Sequence, residues 1–259
     1  MHRVAVLIPA LDEEDALPVL LAALPPGLGE VVVVDNGSTD RTVQVARAAG
    51  ATVLHEPRRG YGAACLTGLT YLAGGASPPG VVVFLDADQG NPGALVQLVE
   101  PILAGEADMV LGVRAGERGA VPFHARWGNA LVLGLTRLLH GVRYRDFPPF
   151  RALEFEALQR LEMDDLTWGW TLQMQLRARH RRLRTLEIPL PHTPRQAGRS
   201  KISGTLRGSI RAGTRMLLTV VREWRLAHQN QKGLPGSAGG PPDPPRPVPP
   251  GAGARSGPG

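Results

Sequence analysis

The segment Val81-Val82-Val83-Phe84-Leu85-Asp86-Ala87-Asp88 decides how this chain reads. Five apolar residues rich in valine make a short buried strand, and two carboxylates at i and i+2 follow at once. The pattern repeats outward. Val4–Ile8, Val31–Val34, Thr52–Leu54 and Met109–Val113 read as further buried strands, and between the strands Asp12–Leu24, Thr39–Ala49, Tyr61–Ala73 and Pro92–Leu103 have helical spacing. Asp12 and Asn91 are expected to cap two of these helices, with Pro92 at a first helical position. Strand and helix in alternation imply an α/β protein with a mostly parallel sheet covered on both faces. Ligands of such sheets bind beyond the carboxyl ends of the strands. Pro9–Glu14, Asp35–Asp40 and Asp86–Asn91 therefore fall along one rim.

The second half is less regular. Phe123–His140 and Trp170–Arg181 look helical, Leu183–Ile188 looks like a strand, and a long basic helix follows near 204–228. From Gly233 to Gly259, 17 of 27 residues are Gly or Pro. A segment with so little to bury cannot offset its ordering entropy, so disorder is expected there. That leaves one folded domain over residues 1–232, with a half at 1–115 and another at 116–232. The 259 residues, 43% of them hydrophobic, suffice for one sizeable core. The single Cys65 excludes an intrachain disulfide and fits a reducing compartment. There is no signal-peptide pattern at the start, and no window reaches the roughly 18–20 apolar residues that span a bilayer. A cytoplasmic protein is expected.

Net charge is +6, and it is concentrated. Arg195, Arg199, Lys201, Arg207, Arg211, Arg215, Arg222 and Arg225 face Glu223 alone between 195 and 225. A local excess of this kind suits a phosphate-bearing partner or an anionic surface. The stretch lacks interleaved aromatics, which argues against nucleic acid.

On the rim, Asp86 and Asp88 can converge on one hard divalent cation that also bridges diphosphate oxygens; a capped turn is the alternative. In Asp35-Asn36-Gly37-Ser38-Thr39-Asp40, Gly37 permits a tight backbone and Ser38 or Thr39 can cap the next helix. Asp35 can accept hydrogen bonds from a nucleobase or ribose, although an ordinary strand-to-helix turn would look the same.

The order of the motifs carries the specificity. Val6-Leu7-Ile8-Pro9-Ala10-Leu11-Asp12-Glu13-Glu14, Val34 through Asp40, Gly60-Tyr61-Gly62-Ala63-Ala64 and Asp86-Ala87-Asp88 together resemble family-two glycosyltransferases of the GT-A fold. Gly112-Val113-Arg114, Gly128-Asn129, Asp146 with Pro149-Phe150-Arg151-Ala152, Gly169-Trp170-Thr171 and Arg199-Ser200-Lys201-Ile202-Ser203-Gly204-Thr205 resemble the branch related to dolichyl-phosphate mannose synthases. The resemblance covers about residues 3–215. It implies inverting transfer of mannose or glucose from a nucleotide diphosphate sugar (GDP-mannose or UDP-glucose) to a polyprenyl phosphate or other phosphate-bearing acceptor. Pro9, Ala10, Leu11, Glu13, Asp35, Gly60 and Asp86 would bind the nucleotide. Asp86 and Asp88, with Gln89 as third ligand, would hold Mg²⁺ or Mn²⁺. Asp88 and Arg114 would act in catalysis, Arg114 by facing a phosphate. Arg126, Gln173, Arg195, Arg199, Ser200 and Lys201 would serve the acceptor.

Three positions depart from the branch. The Gln89-Gly90-Asn91-Pro92 loop is short, and Pro148 replaces the glycine usual before Pro-Phe. Gln173 stands where relatives carry Glu. Glutamine cannot take a proton, so a phosphate acceptor, already anionic, is expected, with Asp165 as base if the acceptor is instead a hydroxyl. A soluble transferase of that second kind and a degenerate nucleotide-sugar-binding module are the alternatives. A nucleotidyltransferase is disfavoured because the first loop is neither Gly-rich nor basic. The helix near 204–228 sets apolar positions beside an arginine stripe, which suits either packing on the domain or peripheral contact with an anionic membrane.

Overall fold

The computed structural model describes residues 1–89, 91–115, 123–142, 144, 146–191, 206–232 and 246–247; for 114–115, 123–130, 206–212, 230–232 and 246–247 only the backbone is described. The chain runs β1 (Val4–Ala10), α1 (Leu17–Ala22), β2 (Glu30–Asp35), α2 (Thr42–Ala48), β3 (Thr52–His55), α3 (Tyr61–Gly74), β4 (Val81–Phe84), a 3-10 turn (Pro92–Ala94), α4 (Leu95–Leu103) and β5 (Met109–Ala115). It continues through α5 (Phe123–His140), β6 (Arg151–Glu154), α6 (Phe155–Arg160), α7 (Trp170–His180), β7 (Thr185–Pro191), α8 (Leu206–Lys232) and the two-residue β8 (Arg246–Pro247). Among the described residues one sheet holds the strands in the order β3-β2-β1-β4-β6-β5-β7-β8.

The sheet is mostly parallel, as alternation implies. β6 alone runs antiparallel to both neighbours, β4 and β5. Val32–Val34 and the run at 81–85 sit at the centre, buried on both faces, which is why they read as continuous apolar strands rather than alternating ones. Alternate residues feed two cores. Leu7, Val32, Val34, Phe84 and Leu111 join α3, α5 and α7 on one side. Val4, Val6, Ile8, Val33 and Val83 join α1, α2 and α4 on the other.

The structure corrects several local expectations. α1 starts at Leu17, not at Asp12; Asp12 adopts a left-handed φ of 48° and accepts the Thr39 N–H at 2.7 Å, so it ties two loops together instead of capping a helix. α2 starts at Thr42, whose N–H is held at 2.9 Å by Asp40 rather than by Ser38 or Thr39. Asn91 occupies the position before Pro92 but makes no side-chain capping bond. β6 and α6 follow from no periodicity, because each is shorter than two helical turns. Within the stretch expected to be disordered, Arg246–Pro247 pair in parallel with β7.

α8 is fastened against α5 and α7. Thr219, Val220 and Glu223 are buried, while Arg215, Arg222 and Arg225 are exposed. His140 Nε2 meets Val220 O at 3.0 Å, and His140 Nδ1 meets His180 Nε2 at 2.9 Å. Burial, and then the neighbouring His140, bring the His180 imidazole down to about 4, so it is neutral in the native fold. Among the described residues no helix is long and apolar enough to cross a membrane.

The start of α3 sits hard against the loop before α7. A Cβ on Gly62 would lie 1.8 Å from Asp165 O, and one on Gly60 (φ 152°) 2.1 Å from Leu166 O. At the far end of the same helix, Gly74 has nothing within 4 Å. The identical substitution should therefore act with opposite sign. Gly62→Ala should cost about 1–3 kcal/mol or more through overpacking on backbone, while Gly74→Ala should gain up to about 1 kcal/mol. Thermal unfolding of the two variants beside wild type checks this.

Candidate active site

The parallel register brings the expected nucleotide contacts to one edge. Ala10 pairs with Asp35, and Asp35 with His55, at the carboxyl ends of β1, β2 and β3; Asp86 leaves β4 beside them, with Leu85 N–H donating to Leu7 O. Pro9, Leu11 and Glu13 lie partly exposed along this edge, whereas Ala10 sends its methyl into the core. Asp35 is buried and accepts the Ser38 N–H at 2.9 Å, the Gly37 N–H at 3.3 Å and His55 Nδ1 at 3.0 Å. Burial alone would raise its pKa, but the bonds from Ser38, His55 and Gly37 outweigh it and hold the carboxyl below its usual range.

Asn36 closes the adjoining loop. Its Nδ2 donates to Glu56 O (3.0 Å) and Arg58 O (2.7 Å), and its Oδ1 accepts the Gly60 N–H (2.8 Å). Glu56, held at about 2 by Arg58 and then Thr67, anchors the same turn. Arg59 consequently lies over Gly37, its guanidinium 3.5 Å from where a Cβ would be. This places a cation at the rim.

Asp86 and Asp88 are half-exposed on either side of the buried Ala87, and the chain turns at once, Gln89 N–H donating to Asp86 O at 3.0 Å. Two carboxylates and a carboxamide on one turn are hard oxygen donors of the kind Mg²⁺ and Mn²⁺ take. Among the described residues no three His, Cys, Asp or Glu side chains cluster to complete a metal shell, so an ion here would need water or ligand oxygens as well. Behind the turn, Tyr61 hydrogen-bonds Asp86; burial and then the Asp86 charge raise the Tyr61 hydroxyl and the Cys65 thiol well above their usual ranges. Arg151 is fully buried here. Burial brings it down to about 10, so it remains a cation at neutral pH, bonded to Thr171 O at 2.9 Å and to Pro148 O.

The acceptor side differs from expectation. Gln173 is 0% exposed. Its Oε1 accepts the N–H groups of Asp164 (3.2 Å) and Asp165 (2.9 Å), and its Nε2 donates to Asp164 Oδ1 (2.6 Å) and Glu223 Oε1 (2.8 Å). Every hydrogen bond an amide can form is made inside the fold, so Gln173 braces the structure and does not reach an acceptor. Asp165 is likewise buried. Thr167 N–H (2.7 Å), Thr167 Oγ1 (2.9 Å) and Thr219 Oγ1 (3.1 Å) take up its oxygens. Asp164 bonds Arg177 at 2.9 Å and Arg222; although burial opposes it, Gln173, Arg177 and Arg222 hold that carboxyl below its usual range. Neither aspartate is placed as a proton acceptor. Arg114 and Arg126 are described only in backbone, at the carboxyl end of β5 and within α5. Arg195, Arg199, Ser200 and Lys201 lie outside the described residues.

The rim at Asp35, the carboxylate pair leaving the central strand and the mostly parallel mixed sheet can be set beside known proteins. The family model described as glycosyl transferase family 2 matches residues 5–161. The chain belongs to this family. It is a glycosyltransferase, and 39% identical over 209 residues to an uncharacterized glycosyltransferase of Mycobacterium tuberculosis, covering 80% of this chain and 93% of that one. It is also 32% identical to the polyprenol monophosphomannose synthase of Mycolicibacterium smegmatis, over 79% of this chain and 82% of the relative. Its fold matches the crystal structure of glucosyl-3-phosphoglycerate synthase from Mycobacterium tuberculosis in complex with Mn²⁺, UDP-glucose and phosphoglyceric acid, with TM-score 0.69, 22% identity and coverage of 86% and 79%. The GT-A expectation is met.

His55 and Arg59 stand outside the sequence motifs as site residues, and Asn36 and the buried Arg151, although within motifs, carried no assigned role. His55 was recoverable only from the β2–β3 register. Arg59 carried a signal, standing directly before Gly60-Tyr61-Gly62.

The Gln173 environment yields a stability test. Gln173→Glu would set a buried carboxylate against Asp164 and Glu223, raising the folded-state pKa of the new group above its unfolded value of about 4.3. The variant's deficit is then small below that pH and grows as pH rises, reaching on the order of 3 kcal/mol at pH 8. Melting both proteins from pH 5 to 8 should show the gap widening; a constant gap would contradict the buried network.

Proposed function

We propose that this glycosyltransferase moves a hexose, mannose or glucose, from GDP or UDP to a polyprenyl-phosphate-type acceptor with inversion. One observation supports the choice of acceptor: Asp165, the base expected for a hydroxyl acceptor, and Gln173, at the position where relatives carry Glu, are both consumed by hydrogen bonds within the fold. An alcohol would need a group to take its proton. A phosphate monoester is already anionic near neutral pH and needs cations to position it. The similarity to polyprenol monophosphomannose synthase supports the same acceptor class.

In this reading Pro9, Leu11, Glu13, Gly60 and the Ala10 backbone line the nucleoside, and Asp35 receives its hydrogen bonds, with His55 fixing the carboxylate. Asp86 and Asp88, with Gln89, would hold Mg²⁺ or Mn²⁺, which offsets the charge growing on the departing diphosphate. Arg59 and Arg114 face phosphate oxygens. Arg126, Arg195, Arg199, Ser200 and Lys201 orient the acceptor, one of whose phosphate oxygens attacks the anomeric carbon from the side opposite the diphosphate. The carbon–oxygen bond to the diphosphate breaks as the new one forms, and no proton has to leave the nucleophile. The enzyme is cytoplasmic and meets its lipid acceptor as a peripheral protein at the inner face of the membrane, with the Arg215, Arg222 and Arg225 side of α8 toward anionic headgroups.

The test is transfer from a panel of nucleotide sugars to polyprenyl phosphate, with and without Mn²⁺. Product should require the metal and the phosphate; polyprenol itself should not react. Asp86→Asn and Asp88→Asn should each abolish metal-dependent binding of the nucleoside diphosphate in calorimetry while leaving metal-independent binding measurable. Unchanged metal-dependent affinity in both would make the pair a structural turn.

A further inference from the structure

Leu166 and Trp168 are large apolar side chains left 38% and 39% exposed on the loop before α7. The loop that presents them is held on both sides. Ala63 N–H donates to Leu166 O at 3.0 Å, and Asp165, one residue away, is bonded to Thr167 and to Thr219 of α8. The Trp168 ring stacks on Tyr61, centroids 6.1 Å apart and planes at 29°, and Tyr61 hydrogen-bonds Asp86. One ring therefore separates an exposed indole from the carboxylate pair. On the other flank Arg222 bonds Asp164, and Leu218, next to Thr219, is exposed as well. Apolar side chains fixed at the mouth of a site, with arginine beside them, match an amphiphile whose anionic head lies inward and whose hydrocarbon begins immediately after.

We propose that Leu166 and Trp168 form an apolar lip that receives the first isoprene units of the acceptor next to its phosphate. The inference rests on the polyprenyl-phosphate reading above and adds the residues that make the enzyme select a lipid over a small soluble phosphate. Rigid fastening matters here, because a preformed contact loses less freedom on binding than a loop that must first order.

The experiment compares kcat/KM for a long polyprenyl phosphate in detergent with that for a short, water-soluble isoprenyl phosphate at saturating donor and Mn²⁺. Wild type should prefer the long chain. In the Leu166→Ser/Trp168→Ala variant that preference should fall about tenfold or more, mainly through KM, which is the scale of burying one or two large apolar side chains. Trp168→Phe should retain most of it, and Leu166→Ser alone, at an exposed position, supplies a variant that folds if the double one does not. An unchanged long-to-short ratio in a folded variant overturns the lip. So does an equal loss on both acceptors, which would place Trp168 against the donor sugar. A dimer in wild type that the substitutions split would make the two residues a subunit interface and equally overturn it. If wild type transfers to neither lipid, the acceptor reading fails, and that failure is visible before any variant is made.

Discussion

The site depends on one close approach. The first turn of α3 can touch the loop before α7 only because positions 60 and 62 carry no side chain: a Cβ at Gly62 would lie 1.8 Å from a carbonyl oxygen. That contact joins the half of the sheet that ends in Asp35 and Asp86 to the half that carries α7 and α8. It also sets Tyr61 between Asp86 and Trp168, so that the carboxylate turn and the loop before α7 share a wall. Without it the strands would still pair, but Tyr61 would not bridge Asp86 and Trp168.

The second half joins that wall through the apolar core of α5, α7 and α8 and through a set of polar groups. Gln173, Arg177 and Glu223 form a buried cluster, with Arg177 Nε 2.9 Å from Glu223 Oε2. Asp164 and Arg222 extend it to the surface. Buried ionic groups contribute little net stability against an apolar core, yet breaking one partner is costly. Such a network therefore fixes the position of α8 more than it strengthens the fold. Position is what a transferase needs from the helix that follows its expected acceptor segment.

Much of this was legible in the sequence. Valine-rich runs reported strands buried on both faces, and the carboxylates after Val34 and Leu85 lay where a parallel sheet presents its ligands. Helix starts were not legible. Asp12 has the composition of a cap, but its carboxylate is drawn to Thr39 across the rim, a contact between residues 27 apart. β6 was hidden because its direction is set by pairing with β4 and β5, not by its own four residues. Gln173 read as a missing base because a sequence shows the loss of a carboxylate without showing Glu223, fifty positions on, that the amide serves. Local chemistry is written in order along the chain; long-range partners are not.

In the proposed reaction the acceptor arrives already ionised and no side chain removes a proton from it. The most direct measurement is kcat of Asp165→Asn with polyprenyl phosphate, since the amide keeps its oxygen for Thr167 and turns its NH2 toward the Thr219 hydroxyl, which can accept, but cannot act as a base. With an ionised acceptor, kcat is expected to stay within about tenfold of wild type. A fall of about 10²–10⁴-fold in a variant of unchanged fold, the loss expected when a general base is removed, would contradict it.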